Sequence, residues 1–438
     1  MSGKQFEIHT CQAGPLGFQR INSFLDEYRG MPREANLLNG ASFFNWMAAG
    51  VFFGTLSVFL PLQGVSIPTT GLIFTVFGVV SATSCFWFGG IADRYGRKRF
   101  VVWGGVIASL AIATFGIVPA DTTFGLPVLF AAAILGGLSE AMYAVSWGAM
   151  LAEKATDAKR TTAFSLSFLI GTISFAVGGF SAGILGPLDA VFGISLVQGH
   201  RYLYVGIAAI GLLGPAIVSR LSESELRHSE GVTQFFPRKS RKVVVRYSIA
   251  GVMIALGAGM VVPLIQLWAL IRFEVTDEIS GPIMVGVNSL IMGVANLAAP
   301  KLARRIGTVK TIVLTQASST IFLVSLPFTS DFLTASAVFI VRSMLMMMSN
   351  PTEQSLLMGL VSKEERSSAS AITTALWRFP NSISTFVGAY LMGLGGFYLS
   401  LPFFLCTALY LSSISYFWFA FKDVRLPEEK ILAPIAAS

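Results

Sequence analysis

Four ionisable residues stand inside long apolar runs of this chain: Glu140, Arg342, Glu353 and Arg378. A charge near the centre of a membrane helix costs about 2.5–3.5 kcal/mol on insertion scales, so such residues face a watery path or pair with each other. The chemistry open to them is proton exchange, ion pairing and solute binding. Glu140 lies about 12 residues from one end of its run, hence roughly 18 Å deep in a helix. Its neighbours Gly136, Gly137, Ala141, Ala144 and Gly148 are small, so water or a solute can approach. Burial favours the neutral carboxyl, which suits Glu140 to load and release a proton. The alternative is a permanent pair with Arg378 or Arg342. Arg342 and Glu353 share one run about 16 Å apart along a helix, too far to pair directly. Glu353 and Arg378 lie at comparable depth on adjacent runs, so an ion pair between them is expected, or else a functional role for each. Asn45, beside Trp46, and Gln266, beside Trp268, are the polar candidates for solute contact in a largely apolar cavity.

The elements that must position these residues are membrane helices. The chain has 438 residues, 54% hydrophobic and 12% charged. Runs of about 20 apolar residues suit helices that cross a bilayer, where every backbone polar group must be satisfied internally. The pattern predicts an all-α integral membrane protein with twelve transmembrane helices. The first six cover 42–62, 72–91, 100–119, 126–152, 163–186 and 202–219. The second six cover 247–271, 281–299, 311–328, 333–360, 368–393 and 398–420. Residues 1–40 form an N-terminal tail, 41–220 the first six-helix bundle, 221–246 a charged central linker, 247–421 the second bundle and 422–438 a C-terminal tail. Within the first tail, Phe18–Tyr28 has apolar residues at helical spacing and suits a short surface helix. Pro351 and Pro380 are expected to kink spans ten and eleven.

A net charge of +8 invites a nucleic-acid reading, but the distribution rejects it. On this topology 27 of the 31 Lys and Arg residues fall in the tails, the linker and the turns on one side. Arg201 and Arg272 lie on the other side, and Arg342 and Arg378 inside spans. That bias predicts a multi-pass cell-membrane protein with both termini cytoplasmic, its cations also meeting anionic membrane lipids. Cys11, Cys85 and Cys406 are isolated, which suggests neither a disulfide framework nor a metal site. His9, His200 and His228 fall outside the predicted spans, which argues against a buried histidine relay. There is no nucleotide-binding glycine loop with its lysine, so ATP coupling within the chain is not expected.

The two halves repeat each other. Gly89-Gly90-Ile91-Ala92-Asp93-Arg94-Tyr95-Gly96-Arg97-Lys98-Arg99 joins spans two and three by a short cationic turn. A degraded copy, Pro300 to Lys310, joins spans eight and nine and keeps Gly307, with Arg304 where Asp93 stands. Arg160-Thr161-Thr162-Ala163 and Arg366-Ser367-Ser368-Ala369 open spans five and eleven. Leu60-Pro61-Leu62-Gln63 and Leu264-Ile265-Gln266 after Pro263 mark spans one and seven. Duplication then predicts two pseudo-symmetric six-helix bundles flanking a central path. In the first turn, Gly89 permits close helix approach, Gly96 a positive φ, and Asp93 can accept bonds from a helix N-terminus such as that of span eleven. Arg94 and Arg97 can pair with Glu153 or Asp157.

This chain resembles the major facilitator superfamily of transporters over residues 41–421, and the 89–99 string matches that superfamily's signature between spans two and three. The resemblance implies that Gly89, Asp93, Arg94, Gly96 and Arg97 form a latch that joins the halves when the path opens outward; the other reading is that the cations only set topology. It implies that spans one, four, seven and ten line the cavity, with Glu140, Arg378, Glu353, Arg342, Asn45 and Gln266 along the solute or proton pathway. Arg342 is similar to an arginine that antiporters of the superfamily carry in span four, but here the matching first-half position is Gly136. The glycines of span five resemble the antiporter signature without its Gly-Pro pair, and close packing explains them equally well. The expected function is secondary transport of a small organic solute by alternating access, exported in exchange for protons. Proton-coupled or facilitated uptake is the second reading, and a non-transporting membrane sensor the third. The chain is expected to be no enzyme, to carry no cofactor beyond the coupling proton, to bind no nucleic acid and to act as a monomer.

Overall fold

The computed structural model describes residues 31–155, 160–223, 239–274, 280–295, 299–361 and 366–424. Every regular element among them is helical. The first half contains α1 (Arg33–Leu62), α2 (Ile67–Tyr95), α3 (Arg97–Ile117), α4 (Gly125–Lys154), α5 (Arg160–Ser181), α6 (Leu185–Phe192), α7 (Leu196–Gly211) and α8 (Leu213–Ser219). The second contains α9 (Arg241–Val261), α10 (Ile265–Phe273), α11 (Ser280–Ala295), α12 (Ala299–Ile306), α13 (Thr308–Ser325), α14 (Phe332–Met347), α15 (Asn350–Leu360), α16 (Arg366–Gly393) and α17 (Phe397–Phe421). The Phe18–Tyr28 segment, Asp157 and most of the central linker lie outside the described residues.

Ten helical segments among the described residues are long and apolar enough to cross a membrane. The expected spans eight and eleven are not among them. Only 16 residues of the former are described as continuous helix, in α11. The latter, α16, carries Arg378, Asn381, Ser382, Ser384 and Thr385, polar groups it can afford because it is packed against α2, α9 and α17. Elsewhere the surface is apolar: Trp87, Trp103, Phe168, Ile321 and Phe419 are each more than half exposed, as lipid-facing residues would be.

Several boundaries differ from the sequence expectation. α1 begins at Arg33, so residues 33–40 belong to the first helix and not to the tail. α9 begins at Arg241, so the linker ends before 246. Polar residues there extend a helix beyond its apolar run, which hydropathy alone does not register. Span seven breaks at a 3₁₀ turn over Val262–Leu264, because Pro263 has no N–H to continue the ladder. Span ten breaks between Met347 and Asn350 ahead of Pro351. Pro380, by contrast, lies inside an unbroken α16.

The packing repeats between halves. α1 packs on α5, α2 and α3 on α4, and α3 on α7; correspondingly α9 packs on α16, and α13 on α14 and α17. Each half has its own apolar core. One gathers Phe52, Leu56, Phe59, Phe115 and Tyr204; the other gathers Leu264, Trp268, Phe339, Phe403 and Tyr410. Small residues set the spacing: a methyl at Gly50 would overlap the Phe175 carbonyl, and one at Gly178 the Met47 carbonyl.

The halves meet along two seams, α2 against α16 and α5 against α11. In the first, Gly393 faces Pro68, Gly71 faces Ala389 and Gly78 faces Ser382. Thr75 Oγ1 donates to the Ser382 carbonyl at 2.7 Å. In the second, Gly286 faces Phe180 and Gly293 faces Thr172.

Candidate functional site

Three side chains converge where the first seam reaches mid-helix. Arg378 Nη1, on α16, lies 2.7 Å from Glu140 Oε1, on α4. The same nitrogen donates to Ser81 Oγ, on α2, at 3.0 Å. The Ser81 hydroxyl in turn donates to Glu140 Oε2. The ion pair therefore crosses from one half of the chain to the other.

Local sequence explains how these groups reach each other. Gly137 stands one turn before Glu140, and a side chain there would strike the Phe77 carbonyl and the Ser81 nitrogen. Its bare backbone lets α2 and α4 close until the Ser81 hydroxyl meets the carboxylate. Gly78, one turn before Ser81, likewise admits Ser382, whose hydroxyl donates to the Arg378 carbonyl at 2.8 Å. Two glycines thus position a serine, an acid and a base.

The pair is not sealed: the Glu140 and Arg378 side chains keep 36% and 26% of their surface exposed. Glu140 borders a cavity of about 80 Å³ with Asn45, Phe52, Phe53, Phe77 and Tyr143. Phe52, Phe53 and Phe77 form a ring cluster with centroids 5.3–5.6 Å apart. The Tyr143 hydroxyl is buried without a partner. Every residue lining this cavity belongs to the first half. Asn45 and Glu140 are therefore brought together, whereas Gln266 is not: it is buried in α10, with Gly281 of α11 beside it.

The expected Glu353–Arg378 pair does not form. Arg378 turns across the seam to Glu140, and Glu353, on α15, faces α13 and α9. There Gln316 Nε2 donates to Glu353 Oε1 at 2.5 Å and Ser349 Oγ at 2.6 Å, with Tyr247 Oη 3.5 Å from Oε2. Comparable depth on neighbouring helices did not suffice, because helix rotation sets which neighbour a side chain meets. Arg342 is enclosed in the second half against Tyr410. His200 is also repositioned: α7 starts at Leu196, so the ring lies within the helix, stacked 5.1 Å from Phe59 and away from the cavity. Ser81, Gln316, Ser349 and Tyr247 carry no distinguishing signal in sequence. The one available hint is the Gly78–Ser81 spacing, equal to that of Gly137 and Glu140.

At the cationic turn, Gly96 adopts φ 103° and its repeat Gly307 φ 91°, each opening the next helix in a conformation that only glycine takes easily. Arg97 pairs with Glu153. Glu223 Oε1 accepts from the Lys98 N–H at 3.2 Å. Glu34 holds Lys154 Nζ at 2.8 Å and accepts from the Ser222 N–H at 3.0 Å. All these contacts lie within the first half. The side chains of Gly89's neighbourhood, Asp93 and Arg94 included, lie outside the described residues.

Among the described residues, an all-helical fold with a cavity and an ion pair across a two-half seam is an arrangement suited to a membrane transporter. Residues 38–385 match the model of the Major Facilitator Superfamily, and the chain belongs to that family. It is a multi-pass membrane protein. It is 24% identical over 302 residues to "Multidrug resistance protein MdtG" of Serratia proteamaculans (strain 568), covering 64% of this chain and 68% of the relative. The protein of the same name from Enterobacter lignolyticus (strain SCF1) is 25% identical over 301 residues, covering 64% and 67%. Among solved structures, the nucleoside transporter NupG superposes with a TM-score of 0.71 at 14% identity, over 90% of this chain and 100% of that one. A bacterial homologue of the human lysosomal transporter Spinster, in an inward-facing and occupied conformation, gives 0.71 at 13% identity, over 89% and 96%.

Proposed function

We propose that this protein exports a small organic solute in exchange for protons, by alternating access between two six-helix bundles. In this reading α11 and α16 complete a set of twelve membrane helices, and the repeated packing of the two halves supports that count. The Glu140–Arg378 pair carries the proposal, because it ties the halves together at the edge of the cavity. A proton on Glu140 cancels the attraction for Arg378 and loosens the seam, so that protonation and bundle rocking are coupled. When the proton leaves to the opposite side, the pair reforms. Resemblance to proteins named for multidrug resistance supports export.

The described contacts between halves run from the Pro68–Gly393 end to the Glu140–Arg378 level. These contacts suit a state closed at that end, in which the path opens toward the cationic turns. The lysine and arginine bias supports a cytoplasmic opening and cytoplasmic termini in the cell membrane. Gly89, Asp93, Arg94, Gly96 and Arg97 serve as the latch when the opening reverses. The protein works as a monomer among membrane lipids and needs no cofactor but the proton.

Flux in proteoliposomes with and without a pH gradient tests the reading. Glu140→Gln is expected to fold, with somewhat lower stability, and to lose proton-coupled flux. Wild-type pH dependence in that variant would remove Glu140 as the coupling group.

A further inference from the structure

Arg342 is a buried cation that the exchange cycle above does not use. It has 1% of its surface exposed, in the core of the second half. Its recorded hydrogen-bond partner is a neutral phenol: Nη2 donates to Tyr410 Oη at 2.7 Å, and the guanidinium carbon lies 5.5 Å from the Tyr410 ring centroid. Nε is buried with no acceptor. Among the described residues no carboxylate forms an ion pair with it. Glu140 is engaged by Arg378, and Glu353 by Gln316 and Ser349. Arginine does not shed its proton in proteins, and a buried guanidinium without a counter-charge is costly, more so within a membrane.

The surroundings are short of acceptors as well. Phe403, Cys406 and Tyr410 recur along one face of α17 at helical spacing and belong to this core. Trp268 packs on Phe403 at 4.9 Å between centroids, and its Nε1 is buried and unpartnered. The second half thus buries two donor N–H groups, Arg342 Nε and Trp268 Nε1, without acceptors.

We propose that Arg342 is the centre of a small-anion site, in which a monovalent anion from solution accepts from Nε and supplies the missing negative charge. The burial of Arg342 beside Tyr410 favours a small ligand, a halide or a carboxylate group of the size of acetate. The first could be a co-ion and the second the acidic end of a solute. Unlike Glu140, this site belongs wholly to the second half.

The test uses the purified full-length protein in detergent, with methanesulfonate replaced by bromide in one arm and by acetate in another, at constant pH and ionic strength. The melting temperature is expected to rise saturably in at least one arm, by roughly 2–4 °C. A bromide response alone assigns a halide, and an acetate response alone assigns a carboxylate. Arg342→Met fills a similar volume without charge and is expected to melt at or above the wild type in methanesulfonate, with the anion response gone. A wild type that responds to neither anion overturns the proposal, as does an Arg342→Met protein that responds like the wild type. Should that variant fail to fold, crystals grown in bromide decide: an anomalous peak beside Nε supports the site, and none refutes it.

Discussion

Arg378 and Glu140 stand 238 positions apart in the chain, on helices of opposite halves, yet Nη1 and Oε1 are 2.7 Å apart. No helix of one half alone could make this contact. It joins the two halves through a single carboxylate.

Breaking the pair from one side strands a charge. Arg378→Met is expected to destabilise the folded protein by about 1–3 kcal/mol, below the ~3–5 kcal/mol of a sealed pair because both side chains are part exposed. The double variant with Glu140→Gln is expected to recover most of that loss. Detergent melting of the four proteins of the cycle measures it; simple additivity would mean that the two residues do not interact.

Closure of the first seam depends on Gly78. Its position admits Ser382, which a larger side chain would overlap. Gly78→Leu is expected to hold α2 and α16 apart and to slow transport at least about tenfold, a barrier change of ~1.4 kcal/mol. A cysteine at Thr75 should then react faster with a membrane-impermeant maleimide. Unchanged labelling and flux would show that the seam does not need this approach.

The latch reading makes a separate prediction at the cationic turn. Asp93→Asn is expected to slow turnover more than it weakens solute binding, since a latch acts on the reversal of the path. Initial flux rates compared with equilibrium binding distinguish the two. Equal turnover in both proteins would leave topology as the role of the motif.

Asp331 caps α14, accepting from the Thr334 N–H at 2.9 Å. That backbone bond, with the Thr334 hydroxyl, holds its carboxyl below the ordinary 3.8. A depressed folded-state value means that the cap contributes fully above the unfolded value and is lost as pH falls through the folded one. Asp331→Ala is therefore expected to lower the melting temperature slightly near neutral pH, with the difference vanishing in strong acid. A gap that persists at low pH would point to lost packing instead.

Much of this protein was legible before folding. Apolar runs, the cation bias and the repeated turn ending at Gly96 and Gly307 mark a multi-pass membrane protein with a repeated motif, because each depends on composition along a single helix or loop. The same holds for Glu140, Arg342, Glu353 and Arg378, whose isolation among apolar neighbours is a one-dimensional fact. The break at Pro351 was legible, since a missing N–H is local, whereas Pro380 carries the same signal inside an unbroken helix and Pro263 is legible only as part of the repeat.

Which acid Arg378 would meet was not visible. Glu353 and Glu140 were both compatible with its depth, and the choice turned on helix rotation and on the close approaches allowed by Gly78 and Gly137. Ser81 became part of the site for the same reason, while Gln266 was left outside it. Patterning along a chain records what each helix must bury; which faces meet, and which charges they bring within bonding distance, is settled only when the helices pack.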